Sequence, residues 1–333
     1  MNSAFRVESP GVLATLQDLG RPQYRASGVP IGGAMDRFAL MAANRLVDNS
    51  PGAGCLEVVV GGTKLLTLRD CSVAVTGGDL STKVNGRDAP LWTSFAISTG
   101  DRLTFGSRRS GARAYLAAAG GFVGDVWLGS VSTSLLVTKG GIEGRPIHRG
   151  DELAVANVHA AVRHVGQELR SEFRPAYVVP GAVEIAVVRG PQFSRLARVS
   201  QHAFFGRDYQ VSLHSDRMGF RLEGEALVVQ GPELLSFGLA PGCVQVPRNG
   251  QPILLMADAQ TAGGYPVIAG VVRADLPVAA QLLPGDRLRF RPCNVEDAQQ
   301  RWRQLMAGLG SIGQTAPIRS TMKRSNVRAS RII

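Results

Sequence analysis

The amino-acid sequence predicts a mainly β protein with few helices, its short strands gathered into two lobes with closed or barrel-like sheets. Three observations carry the prediction. The segments TGDRLTFG at 99–106, RGDELAVA at 149–156 and PGDRLRFR at 284–291 each set Gly-Asp before alternating apolar residues, the turn-then-strand chemistry of antiparallel sheets. Val73–Thr76, Ala114–Ala118 and Ile185–Val188 read as further strands, and Lys83-Val84 before Asn85-Gly86 reads as a hairpin. So many short strands would leave unpaired edges unless the sheets close.

Helices are sparse. Asp36 can cap one running to about Val47, with Phe38, Met41, Ala42 and Leu46 as its apolar stripe. Asn294 can cap another to about Leu309, ended by Gly308 and Gly310 and packed back on the barrel. Ser194–Phe204 reads as a third helix or as a long loop. Residues 156–175 are charged and lack strand alternation, which places a junction there. The expected organisation is an N-terminal lobe at 1–165, a second lobe with its closing helix at 166–310, and a basic, disordered tail at 311–333.

Composition excludes several functions. The longest apolar runs, such as Ile253–Ala257, fall far short of the roughly 20 residues of a membrane span, and MNSAFRVESP lacks the apolar run of a secretion signal. A cytoplasmic protein is expected. Of the net charge of +11, +5 belongs to residues 316–333 and +6 to the other 315, so the body is only mildly basic and nucleic acid is not an expected partner. Cys55, Cys71, Cys243 and Cys293 form no C-x-x-C, and the five histidines form no H-x-x-x-H, so no metal site is signalled. No P-loop or G-x-S-x-G motif occurs, and Gly308, Gly310 and Gly313 follow a helix rather than a strand.

The informative stretch is Val211–Pro266, where polar residues interrupt strand-like hydrophobic text. An unpaired polar group there would cost roughly 1–3 kcal/mol, so each must be satisfied or used. Alternation in an extended strand puts Ser215 and Arg217 on one face, with Arg221 beside them unless Gly219 introduces a bulge. Two guanidiniums on one face make an anion site. Asp216 points the other way, toward a ligand or an internal arginine. Asp258 and Gln260 share a face, followed by Thr261, Gly263-Gly264 and Tyr265, so Asp258 can act as a base or hold a cation. Gln17, Asp18 and Arg21 sit in a Gly/Pro-rich loop context, and Glu57 opens an apolar strand that needs a partner, an internal arginine being expected.

The motifs TLQDLGRPQYRASGVPIGGAMD, LEVVVGG, SDRMGFRL and VQVPRNGQPILLMADAQTAGGYP, in this order, closely resemble one family. It is known as the 5-oxoprolinase C subunit, allophanate hydrolase subunit 2, or biotin-dependent carboxyltransferase subdomain A/B. The resemblance runs from about Val7 to Arg291. It implies two lobes around cyclophilin-like β-barrels, and work beside A and B subunits of 5-oxoprolinase in the ATP-dependent opening of 5-oxo-L-proline to L-glutamate, with Mg²⁺ accompanying ATP. Within the matched motifs, Arg217 and Arg221, with Ser215, would bind the substrate carboxylate or phosphates. Asp258 would hold Mg²⁺ or a proton, and Gln245, Gln260, Thr261 and Tyr265 would orient the lactam. Gln17, Asp18 and Arg21 are counted with the binding residues. Arg217→Ala is then expected to abolish activity while sparing the fold.

Departures from the family pattern are GSVSTSL at 129–135, where Val131 and Ser134 replace an arginine and an aspartate of GSRSTDL, and Ala259 in place of the arginine of DRQT. Two other readings compete. One is a carboxyltransferase acting on urea or another amide, which needs carboxybiotin from elsewhere because the chain has no A-M-K-M site. The other is a regulator that binds a kinase-inhibitor-like partner without catalysis.

Overall fold

Two sheets, a barrel and a two-stranded ribbon account for the strands of the computed structural model, which describes residues 2–157, 165–177 and 182–313. In the N-terminal lobe a six-stranded sheet runs in the order Glu152–Ala154, Ser3–Pro10, Thr63–Thr67, Arg102–Thr104, Lys83–Val84, Arg87–Asp88. A five-stranded sheet runs Leu13–Gln17, Cys55–Val59, Ser110–Ala118, Cys71–Asp79, Ser94–Ile97. One core joins them through Phe5, Val7, Leu16, Leu56, Leu65, Leu103 and Leu116, each fully buried. Burial of each such side chain stabilises by about 1.5–3 kcal/mol.

The second lobe closes. Its barrel runs Ala182–Arg189, Val267–Val271, Cys243–Gln245, Ile253–Leu255, Gly219–Glu223, Tyr209–Val211, Arg287–Pro292 and returns to the first strand through a parallel pairing, Ala182 opposite Arg287. No edge of this barrel remains to recruit another chain. The interior is filled by Val187, Tyr209, Phe220, Val244, Leu254, Ile268 and Phe290. The Gly-Asp turns are structural, as the sequence suggests. Gly100, Gly150 and Gly285 take φ near +90°, which glycine adopts without strain, and the following aspartates accept the N–H groups of Ser98, His148 and Leu283 at 2.7–2.8 Å.

Helix α1 (Arg37–Leu46) begins where expected, with Asp36 accepting the Ala39 N–H at 2.9 Å, and covers the outer face of the five-stranded sheet. Residues 193–206 form a 3₁₀ turn, Phe193–Arg195, and then α2 (Arg198–Gly206), whose Phe204 stacks on Phe290 of the barrel. One turn of helix, α3 (Leu276–Ala279), precedes the last barrel strand.

Helix α4 (Val295–Ser311) is capped by Asn294 as expected and reaches both lobes, with Arg301 pairing Asp275 and Trp302 beneath Arg273 on the barrel side. Its Leu309, with the following Ile312, completes the core of α1 beside Phe38, Leu46, Trp92 and Leu169. Gly308 and Gly310 lie inside the helix instead of ending it, and Gly308 has a packing reason. A Cβ there would stand 2.4 Å from the Cβ of Phe173. The chain therefore returns to its first lobe at the end of its last helix. The expected junction adjoins 158–164, and nearly all of the tail is 314–333; both stretches lie outside the described residues. Among the described residues no helix is long and apolar enough to cross a membrane.

The lobes meet at a buried polar pin. Gln281, from the barrel lobe, accepts the N–H groups of Ala112 and Arg113 at 2.7 and 2.8 Å, where a register shift interrupts the strand Ser110–Ala118. Its Nε2 donates to the Arg113 carbonyl and to Asp36 Oδ2, which also accepts from Tyr177. Burial pushes the Asp36 carboxyl up to about 6, against the hydrogen bonds of Ala39, Tyr177 and Gln281. The folded state thus binds this proton more tightly than the unfolded chain does. The stabilisation is complete below the ordinary pKa of 3.8 and is lost as pH rises through about 6. We expect the stability of the native protein relative to Asp36→Asn to fall by on the order of 3 kcal/mol between pH 4 and 7. Urea midpoints of both proteins at pH 4, 5, 6 and 7 test this; parallel curves would contradict it.

Candidate functional site

Between the strands Tyr209–Val211 and Gly219–Glu223 the chain turns, and the turn decides where two arginines point. Asp216 Oδ1 accepts the N–H groups of Met218 and Gly219 at 2.8 and 3.1 Å, and Ser215 Oγ accepts that of Arg221 at 3.0 Å. Strand pairing starts only at Gly219, so the alternation expected from Ser215 onward does not hold. Arg217 turns inward and Arg221 outward. No common anion face forms, and Ser215 spends its hydroxyl on closing the turn.

Arg221 borders a pocket of about 340 Å³ with Asp216, Gln245, Asn249, Gln260 and Tyr265, over an apolar floor that includes Leu255. Four of the residues expected from sequence, Arg221, Gln245, Gln260 and Tyr265, are brought together here. Gln245 is buried and donates to the Tyr265 carbonyl at 3.1 Å, while its Oε1 faces Gln260 Nε2 at 3.4 Å. Gly263 makes this packing fit, because a Cβ would lie 2.8 Å from the Leu239 methyl and 3.6 Å from Gln245 Nε2. The Arg221 guanidinium has no hydrogen-bond or ion-pair partner among the described residues. A cation, a carboxylate, two amides and a phenol can pair every polar group of a small amide that carries its own carboxylate.

Arg217 and Asp258, expected with Tyr265 to be the catalytic residues, do not line this pocket and are committed to each other. Arg217 Nε donates to Asp258 Oδ2 at 2.9 Å, Nη1 to Glu57 Oε1 at 2.5 Å and Nη2 to the Gly33 carbonyl at 2.5 Å. Glu57, 1% exposed, accepts from Tyr115 and from the Met35 N–H on its other oxygen, so it has found the internal arginine it needed. Burial works against the Arg217 charge, and the Glu57 and Asp258 carboxylates outweigh it, holding its pKa above the ordinary value. Arg21 also acts electrostatically on Asp258, with Gly32 between them: a Cβ at Gly32 would stand 2.8 Å from Arg21 Nη1 and 3.6 Å from Asp258 Oδ1. Arg217 is thus spent on Asp258, Glu57 and the Gly33 carbonyl, and neither it nor Asp258 lines the pocket beside Arg221. Among the described residues no group of three or more His, Cys, Asp and Glu is placed to hold a metal ion.

Gln17, Asp18 and Arg21 are likewise internal supports. Asp18 accepts from the Ser130 and Ser132 hydroxyls and the Gly20 and Val131 N–H groups at 2.5–2.9 Å. Arg21 is buried, donates to the Ser132 carbonyl at 2.6 Å and lies over the Trp127 ring at 4.6 Å. Gln17 donates to Thr15 and to the Thr133 carbonyl. Together they fasten the loop 127–133, which carries Val131. Thr261 accepts the Leu239 N–H through its carbonyl and does not line the pocket. Ala259 is buried among Leu239, Leu255 and Val267, and Ser134 pairs by backbone with Lys139. Asp216, read from sequence as facing a ligand or an internal arginine, borders the pocket, and Asn249 is a polar pocket residue that sequence reasoning left out; Asn249-Gly250 announces a turn, but nothing in one sequence says which cavity the turn borders.

The family described as carboxyltransferase domain, subdomain A and B, matches residues 27–292. This chain belongs to that family. Within the carboxyltransferase A and B family it is 39% identical over 314 residues to the 5-oxoprolinase C subunit of Escherichia coli, covering 91% of this chain and 97% of that protein. It is 37% identical to the 5-oxoprolinase C subunit of Haemophilus influenzae, covering 86% and 90%. Among solved structures it resembles the urea amidolyase of K. lactis, with a TM-score of 0.85 and 28% identity over 92% of this chain and 20% of that one. The mainly β fold with a closed barrel is thus a carboxyltransferase A/B fold, and membership in a multi-subunit hydrolase is what the bacterial relatives suggest.

Proposed function

We propose that this chain is the C subunit of an ATP-dependent 5-oxoprolinase and that the pocket beside Arg221 receives the lactam. The observation that carries the reading is the convergence of Arg221, Gln245, Gln260 and Tyr265 with Asp216 on one small pocket, in a chain similar to two 5-oxoprolinase C subunits. Arg221 pairs with the carboxylate of 5-oxo-L-proline, the two glutamines meet the amide, and the second oxygen of Asp216 and the Tyr265 hydroxyl stand where a proton can be held. An unstrained amide is a poor electrophile. Phosphoryl transfer from ATP, accompanied by Mg²⁺, to the lactam oxygen releases ADP and creates a leaving group. One water then adds to the ring carbon and the C–N bond opens with the proton passing to the amine, which leaves γ-glutamyl phosphate, and a second water hydrolyses that acyl phosphate to L-glutamate and phosphate. The B and A subunits supply the rest of this machinery, and such an ATP-consuming complex would work in the cytoplasm.

The test is ADP release by this chain co-expressed with its B and A partners, with and without 5-oxo-L-proline. Arg221→Ala should raise KM for the lactam by about 10- to 100-fold, the worth of a charge-assisted hydrogen bond, with little change in the unfolding midpoint because the side chain is exposed. An unchanged KM would remove Arg221 from the site. The match to the urea amidolyase fold favours a second reading, carboxyl transfer to an amide; turnover that requires carboxybiotin instead of releasing ADP with oxoproline would select it. A stable complex with neither turnover would point to a regulatory binding role.

A further inference from the structure

A second cleft, of about 510 Å³, opens between the lobes and shares Leu255 with the first. Its walls come from both lobes and are apolar, with Phe38 and Met41 of α1 on one side and Leu276 of α3, Trp302 and Met306 of α4 completing it. The charged residues that border it are Arg25, Arg37 and Arg273, and no acidic residue lines it. Arg25 donates to the Leu239 carbonyl across the cleft. Arg37 and Arg273 have no hydrogen bond or ion pair among the described residues, although Arg273 lies over the Trp302 ring at 5.9 Å. The cleft walls desolvate Arg37 and Arg273 repels it, and both effects lower its pKa, opposed by Asp18 from outside the cleft.

Arg37 and Arg273 are exposed to solvent at the cleft, whereas three less exposed arginines have acidic partners. Arg217 has Glu57 and Asp258, Arg108 has Asp286 and Arg301 has Asp275. Two unmatched guanidiniums beside apolar walls repel one another at a cost that an anion with an apolar body would remove. The volume lies within the range of small-molecule sites, about 300–1,000 Å³, and the mixture of apolar wall with a few convergent polar groups is their usual composition.

We propose that this interlobe cleft binds a small organic anion, with its oxyanion group paired by Arg37 and Arg273 and its apolar or aromatic body covered by Trp302 and Phe38. A carboxylate and a phosphate share this chemistry. The site does not depend on the 5-oxoprolinase reading, and because both lobes contribute to it, its ligand bridges them.

Binding to the full chain alone is the test, read by titration calorimetry. The probes are two matched pairs, adenosine monophosphate against adenosine and phenylacetate against phenylacetamide, with inorganic phosphate as a control. At least one anion should bind at least 10-fold more tightly than its neutral counterpart and more tightly than phosphate, and which anion does so separates a phosphate from a carboxylate site. Arg37→Gln and Arg273→Gln should each weaken it by about 10- to 100-fold. Trp302→Leu should weaken the body contribution in both members of a pair, and Arg221→Ala should leave binding unchanged. Unfolding midpoints of each variant establish that it is folded. Dissociation constants all weaker than about 1 mM, equal affinity for neutral and anionic partners, or full affinity in folded Arg37→Gln and Arg273→Gln would overturn the proposal.

Discussion

Arg217→Ala is expected to lower the free energy of unfolding by about 3–5 kcal/mol, the usual cost of removing one partner from a buried ionic group. Glu57 is 1% exposed and the side chains of Arg217 and Asp258 are 14% and 15% exposed, so solvent cannot take over the lost charge. Glu57 would keep only the hydroxyl of Tyr115 and the N–H of Met35. The double variant Glu57→Gln with Arg217→Met should recover part of the loss, since it neutralises the more deeply buried of the two carboxylates that Arg217 pairs while Asp258 stays unpaired by it. Urea unfolding of the three proteins measures this. A loss below about 1 kcal/mol for Arg217→Ala would mean that the arginine is a solvent-facing ligand group after all. The outcome separates the two arginines, because Arg221→Ala acts on substrate and Arg217→Ala on the fold.

Asp18→Ala should cost about 3 kcal/mol or more and loosen the loop 127–133. Four donors lose their acceptor together, two of them backbone N–H groups, and buried Arg21 loses the stronger of the two carboxylates that offset its desolvation. Hydrogen exchange should rise at the Val131 N–H and at the Asp18 N–H, which Ser132 Oγ accepts, while the barrel interior stays protected. Unchanged exchange at those two amides would show that the loop is held by something else.

These two expectations depend on facts that one sequence could not supply. The β class, the capped helices and the Gly-Asp turns were legible because each rests on residues a few positions apart: Asp36 with Ala39, Asn294 with Asp297, Gly285 with Asp286. The pocket around Gln245, Gln260 and Tyr265 was legible because polar side chains in apolar text must be satisfied or used, and because the family motifs cover them. Arg217 was misjudged for a local reason, since Asp216 and Ser215 form a turn that breaks the alternation on which the shared face depended. Its true partner, Glu57, lies 160 residues away on the other lobe, and only the packing of the two lobes brings them together. Helix α4 has an apolar stripe that shows it must be buried but not on which lobe. The interlobe cleft was invisible for the same reason, since Arg37 and Arg273 become neighbours only after the lobes meet.

The pin at Gln281 also bears on the order in which the chain can finish folding. Two amide N–H groups in the middle of the first lobe find their acceptor 169 and 168 residues later, and the apolar cover of α1 comes later still, from Leu309 and Ile312. While the chain is being synthesised, the first lobe must therefore wait, incompletely satisfied, until the barrel and the last helix have emerged. A fragment ending near residue 165 is expected to be a poor folder, and fragments supplied in trans that include Gln281 and α4 are expected to rescue it.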